Sequence, residues 1–229
     1  MVRGFDPAGP RDVVFVPVGL NYDRVLEDRS LLSELDPDAP KKSSAGAAAG
    51  TARFVLKNLA LAARSRWHRF GYACVHIGRP VSLRSWLAER GGLDPRALPD
   101  AARKEAVASL AAELMRGIAA AVPVLPVPLV ATAFVRSPGL AFTELELKAE
   151  VLRLAGELEG AGARVHVPRR DLDYAITAGL RMLVLRRAVL EEDGLLRASP
   201  SDGPLLSYYA SSVSHLFPET AARALSITT

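Results

Sequence analysis

Residues 166–171 read HVPRRD, a histidine and an aspartate with four residues between them. An imidazole oriented by a carboxylate is a general base able to take a proton from a hydroxyl group. Two residues five apart on a regular helix point about 140° away from each other, so the pair converges only through a special turn. His166 also falls where the outward polar residue of a short strand, ARVHV (163–167), would fall. Asp171 stands where a following helix needs its N-terminal cap. The expectation is that His166 and Asp171 are a decoy and that the chain carries no catalytic residue of its own.

Composition narrows the remaining chemistry. The chain has 229 residues, 49% of them apolar and 24% charged, with a net charge of +4. That length holds one substantial core or two small ones. The basic residues are mostly arginine, without a lysine block or a basic-aromatic alternation, so no nucleic-acid partner is expected. Arginine does suit phosphate recognition, because its planar fork donates two parallel hydrogen bonds. Cys74 stands alone, and His68, His76, His166 and His215 are scattered. Neither a metal nor any other cofactor is expected from that pattern. The uncharged run between Arg116 and Arg136 holds Pro123, Pro126 and Pro128, and reads as a buried helix followed by an extended segment rather than a membrane span.

The elements that must position any site follow from periodicity and caps. VVFVPV (13–18) is a β-branched apolar run, the pattern of a strand covered on both faces in a parallel sheet. KKSSAGAAAG (41–50) reads as a loop, 51–67 as a helix ending in RSRWHR, and YACVHIG (72–78) as a second strand. Ser82 opens a short helix. Asp100 is expected to cap a long helix with Val107, Leu110, Ala111, Leu114 and Ile118 on one apolar stripe. Thr143 and Glu146 have the spacing of a capping box. Asp171 caps a helix carrying Ile176, Leu180, Leu183 and Val184, and 205–216 and 219–225 read as closing helices. Many helices against two or three strands leave 13–18 short of sheet neighbours, so the expectation is a chain incomplete at its N-terminal end.

Two stretches carry a family resemblance. VFVPVGLNYDRVLEDRSLLSEL (14–35) resembles the fourth sequence block of the bacterial and mitochondrial glycerol-3-phosphate acyltransferases, an apolar strand ending in V-P-V or I-P-I before Y-D or Y-E. YACVHIGRPVSLRSWL (72–87) is similar to that family's strand ending in F-G-E-P or F-A-Q-P. AAELMRGI (111–118) and LLSYYASSVSHLF (205–217) resemble its C-terminal helical region, in the same order.

The resemblance implies an α/β fragment, the last strands of the acyltransferase sheet (1–98), followed by a mainly α C-terminal domain (99–229). It implies transfer of a fatty acyl group from an acyl-CoA or acyl carrier protein thioester to sn-glycerol 3-phosphate, in phospholipid biosynthesis. The family's H-x-x-x-x-D, glycine-arginine and F-P-E-G-T-R-S blocks are expected upstream, whether lost, encoded on a separate catalytic polypeptide or removed by a wrong start, so the chain alone is expected to be inactive. FPET (217–220) echoes the third block but continues with Ala221 and Ala222, without the glycine that lets backbone close on a phosphate. By resemblance Pro17 helps shape the substrate pocket; its structural role is to end a strand at a sheet margin. Tyr22 and Asp23 brace the turn after it. His68 and its arginines suit either phospholipid headgroups or a solvated helix end. The implied location is cytoplasmic, peripheral at the inner face of the cell membrane. The rival readings are a non-catalytic module docking on a catalytic chain or a membrane surface, and a self-contained enzyme using His166 and Asp171.

Overall fold

The computed structural model describes residues 2–25, 27–34 and 71–218. The loop expected at 41–50, the helix at 51–67 with His68, and the closing helix at 219–225 lie outside these residues. Among the described residues the helices are α1 (Asp28–Glu34), α2 (Leu83–Ala88), α3 (Asp100–Ala121), α4 (Pro126–Arg136), α5 (Glu144–Gly160), α6 (Leu172–Leu185) and α7 (Gly203–Ser214). The strands are β1 (Val14–Phe15), β2 (Val18–Tyr22), β3 (Ala73–Ile77), β4 (Val81–Ser82), β5 (Ala141–Phe142), β6 (Val189–Glu192) and β7 (Leu195–Ala198). The architecture is a mixed α/β fold.

The 13–18 run is not one doubly covered strand of a parallel sheet. It breaks at Val16–Pro17 into β1, antiparallel to β4, and β2, antiparallel to β3 with Gly19 opposite His76 and Asn21 opposite Cys74. Proline has no N–H to give the ladder, so the pairing changes partner there. Side chains alternate across β2. Gly19 and Asn21 turn inward, whereas Val18, Leu20 and Tyr22 face outward with Val75 and Ile77 of β3, which are 64% and 66% exposed. The outward face of the ribbon is apolar and exposed, while the inward face of β2 carries Gly19 and Asn21.

Gly19 is where α3 meets the ribbon. A Cβ at this position would lie 2.0 Å from the carbonyl oxygen of Ala121, so only glycine lets the helix end approach the strand backbone. Asp100 does not cap α3: it is the first helical residue, pairs with Arg103, and follows Pro99 at the cap position. The expected stripe is also only partly covered. Leu110 is buried, but Val107 and Ile118 are exposed, because α3 packs along one narrow seam. That seam is a small cluster of Phe5, Leu83, Trp86, Leu87 and Leu110, with Leu114 and Ala106 beside it.

The larger core lies beyond residue 123 and draws on α4 to α7 with β5 to β7. Helix α4 is buried through most of its length, from Pro126 to Phe134. The sequence pattern misplaces this element as an extended segment after a helix. Pro126 and Pro128 occupy its first turn, where the missing N–H groups have no intrahelical acceptor to lose. Helix α5 opens with the expected capping box: Thr143 Oγ1 accepts from the Glu146 N–H, and the Glu146 carboxylate accepts from the Thr143 N–H. The expected strand at 163–167 reduces to a single parallel bridge, Val124 to Val165. No helix among the described residues is long and apolar enough to cross a membrane.

A hairpin of β6 and β7 completes the core, turning at Asp193 and Gly194, both with positive φ (51° and 74°). Asp-Gly is the dipeptide that a two-residue hairpin turn favours, since both positions need left-handed backbone. That dipeptide signal was in the sequence, between VLEE and LLRA.

Candidate functional site

Pro17 sits buried at the β1–β2 junction, where its carbonyl accepts a hydrogen bond from the Gly78 N–H (2.8 Å). It therefore ends one strand pairing and also forms the floor of a surface groove of about 710 Å³. The groove runs between the β3–β4 turn and the last turns of α3, with the 162–164 turn at its far side. Apolar wall comes from Pro17, Pro80, Val81 and Ala121. His76, Arg79 and Arg164 bring cationic or hydrogen-bonding groups to the same space. The His76 Nδ1 is buried with no partner among the described residues.

One wall of the groove is fixed by a polar triad. The Trp86 indole N–H donates to Glu113 Oε2 (2.9 Å), Arg90 donates to the same oxygen (3.0 Å), and the Arg90 guanidinium lies 3.9 Å over the Trp86 ring. Glu113 is thereby neutralised and α2 is locked to α3. The arginines on the other sides are not held this way. Neither Arg79 nor Arg164 has an ion-pair partner among the described residues, whereas the carboxylate of Glu89 also borders the groove.

The residues after Pro17 lock the ribbon to the helical body. Asn21 donates to the Pro123 carbonyl (2.9 Å). Asp23 is buried and accepts two backbone hydrogen bonds, from Val127 (2.9 Å) and from Tyr72 (3.0 Å). The first satisfies an orphan N–H in the opening turn of α4, a cap delivered from a distant segment. Burial pushes the Asp23 carboxyl above its ordinary value, opposed by those two N–H donors and by His166. Asp23 braces its turn as expected; Tyr22 points outward and is exposed. Asp28, fully buried, pairs with Arg186 and accepts from the Tyr209 hydroxyl (2.7 Å). Burial and that bond hold the Tyr209 phenol well above its usual range.

His166 and Asp171 are placed with different neighbours. The His166 N–H donates to the Val124 carbonyl (2.8 Å), its ring meets Tyr72 edge-on at 5.3 Å, and its Nε2 is buried without a partner among the described residues. Asp171 caps α6, accepting from the Tyr174 N–H (3.0 Å). Between them Arg169 and Arg170 both adopt φ 58°, so the chain does turn sharply. Yet no hydrogen bond joins the two side chains among the described residues, and His166 instead acts electrostatically on the Asp23 carboxylate. Of FPET, Phe217 is buried beneath the Arg136 guanidinium (3.9 Å); Glu219 and Thr220 lie outside the described residues. The Tyr208 and Tyr209 rings pack edge-on, and His215 Nε2 lies 3.1 Å from the Ala119 carbonyl, tying α7 to α3.

Sequence reasoning singled out Pro17 but not the rest of its groove. His76 was passed over as one of four scattered histidines and Arg79 as one arginine among many. The signal that finds them is the Gly-Arg-Pro turn after β3, which the β1–β4 pairing draws to Pro17.

The geometry defines a mixed α/β protein with an arginine-edged groove at the junction of a strand ribbon and a helical body. A family profile described as "Glycerol-3-phosphate acyltransferase C-terminal region" matches residues 56–229, and the chain belongs to that family. Proteins named glycerol-3-phosphate acyltransferase are similar to it over nearly its whole length. That of Xylella fastidiosa (strain M23) is 27% identical over 229 residues, 96% of this chain and 25% of that protein. That of Xanthomonas campestris pv. campestris is 28% identical over 215 residues, 90% of this chain and 23% of that protein. That of Pseudomonas putida (strain W619) is 28% identical over 230 residues, 94% of this chain and 26% of that protein. The chain spans about a quarter of the length of the curated relatives it matches.

Proposed function

We propose that this chain acts as the C-terminal portion of a glycerol-3-phosphate 1-O-acyltransferase. In the proposed reaction the first hydroxyl of sn-glycerol 3-phosphate attacks the carbonyl of an acyl-CoA or acyl carrier protein thioester. The hydroxyl proton passes to the histidine of an upstream H-x-x-x-x-D pair, the C–S bond breaks, and the thiol departs with a proton. In this scheme the segment described here contributes walls and docking surface rather than the base.

The observation that carries the reading is Pro17. It belongs to the segment that resembles the fourth block and sits buried in the floor of the groove between the β3–β4 turn and α3. A pocket of several hundred Å³ with apolar walls and few polar groups is the usual form of a small-molecule site. The open apolar face of β2 and β3 supports the second part of the reading, that an upstream α/β polypeptide packs there. In this scheme residues 1–98 close the catalytic sheet, 99–229 form the helical domain, and the assembly works as a peripheral protein on the inner face of the cell membrane.

The test is to co-express the chain with an upstream polypeptide carrying the H-x-x-x-x-D and F-P-E-G-T-R-S blocks and to assay acylation of glycerol 3-phosphate. Activity that needs both polypeptides, with none from this chain alone, is the expected result. A chain that binds such a polypeptide or anionic vesicles without restoring transfer is instead a non-catalytic docking module. Acyl transfer by the isolated chain, abolished by His166→Ala in a folded protein, overturns the proposal in favour of a self-contained enzyme.

A further inference from the structure

We infer that the Pro17 groove is a phosphate-ester site, with Arg79 and Arg164 as its anion-binding residues. The inference deepens the proposed function, since it names what the groove holds, but its argument rests on the groove itself.

Three observations converge. First, Arg79 and Arg164 reach the same groove from segments far apart in sequence, the turn after β3 and the 162–164 turn beside Val124. Neither is spent on an ion pair among the described residues, unlike Arg90, Arg96, Arg103, Arg136, Arg153 and Arg186. Two unpaired guanidiniums facing one space favour an anion with several oxygens, because each can donate a forked pair of hydrogen bonds. Second, the acidic residue that α3 brings to the groove wall, Glu113, already pairs with Arg90 and accepts from the Trp86 indole N–H. Glu89 remains as the opposing carboxylate, at the exposed end of α2. Third, the His76 imidazole borders the same groove, and a ring N–H there is able to donate to a phosphate oxygen in the matching tautomer.

Size and lining select the class of ligand. A groove of about 710 Å³ exceeds a lone phosphate and suits an extended ester whose apolar or neutral part lies along Pro17, Pro80 and Ala121. Coenzyme A, glycerol 3-phosphate and an anionic phospholipid headgroup share this chemistry. The acyl donor's phosphates are the assignment that follows from the proposed function.

The experiment uses the whole chain, folded by circular dichroism, with single Arg79→Gln and Arg164→Gln variants. Arg197→Gln, an exposed arginine on β7 outside the groove, controls for net charge. Binding of coenzyme A, glycerol 3-phosphate and inorganic phosphate is measured by titration calorimetry at two salt concentrations. Co-sedimentation with phosphatidylglycerol and phosphatidylcholine vesicles forms the lipid arm. The expected result is coenzyme A binding that weakens about tenfold or more in each groove variant, weakens with salt, and is unchanged by Arg197→Gln. Binding of phosphatidylglycerol vesicles alone, lost in the same two variants, also supports the site and assigns the phosphate to a lipid. Affinity for every probe unaffected by both groove variants, or no binding of any probe, overturns it. A groove that binds coenzyme A while co-expression restores no acyl transfer leaves the site standing and removes the proposed function.

Discussion

At the scale of single residues, the buried carboxylates do more to organise the molecule than the histidine–aspartate pair that first draws the eye. Asp171 spends its side chain on the first turn of α6. Asp171→Ala is therefore expected to cost about 0.5–2 kcal/mol by chemical denaturation, with Asp171→Asn retaining most of the cap. His166→Ala is expected to leave phosphate and vesicle binding unchanged; loss of either would show a direct role for the imidazole. Asp23 makes a sharper prediction because its folded carboxyl lies above the ordinary value of 3.8. A group raised in the folded state adds stability below its unfolded value and loses that contribution as pH rises through the folded value. Asp23→Asn removes this gain. Its penalty should be larger below the ordinary carboxylate range than at neutral pH, as read from denaturation midpoints of both proteins across that window. A constant penalty would mean that the two backbone hydrogen bonds, not protonation, account for the whole effect.

At the scale of elements, the decisive contact is the end of α3 against β2. Inward strand positions are Gly19 and Asn21: the first provides room, and the second ties down the Pro123 carbonyl just past the helix end. Gly19→Ala would place a methyl group inside the Ala121 carbonyl, and backbone cannot yield as a flexible side chain does. Destabilisation of about 3 kcal/mol is expected, with α3 displaced from the ribbon and the groove opened on its helical side. A stability change under about 0.5 kcal/mol would show that α3 is not seated on β2 as described. The same contact couples site to scaffold, since Pro17, Ala120 and Ala121 all border the groove.

At the scale of the whole molecule, two hydrophobic clusters are joined by polar ties, while one apolar surface is left open. Phe5, Trp86 and Leu110 centre the small cluster and the α4–α7 helices the large one. Asn21 and Asp23 reach from the ribbon, and Asp28 from α1, into the helical body. The outward row of Val18, Leu20, Tyr22, Val75 and Ile77 is exposed on one face of a two-stranded ribbon. Such a patch is an association surface. In sedimentation velocity the isolated chain is expected to self-associate with rising concentration. The double variant Val75→Thr, Ile77→Thr, which keeps β-branched side chains while adding hydroxyls, is expected to be largely monomeric. A wild-type chain that stays monomeric across the range would remove this face as a docking surface.

Local signals in the sequence determined what neighbouring residues decide among themselves. Ser82, the Thr143–Glu146 box and Asp171 each cap the helix they were expected to cap, because a cap is settled within four residues. The strand at 73–77 and the end of a strand pairing at Pro17 were equally legible. Tertiary structure alone decided the rest. An apolar run such as 13–18 reads the same whether its second face is covered or open, because periodicity records side-chain type and not the neighbour it meets. Pro126 and Pro128 read as breakers until the start of α4 placed them in a first turn. Asp23 and Asp28 carry no local signature, since their partners lie more than a hundred residues away for Val127, Arg186 and Tyr209. The groove shares that origin: Pro17, Arg79 and Arg164 belong to three segments that only the folded chain brings to one place.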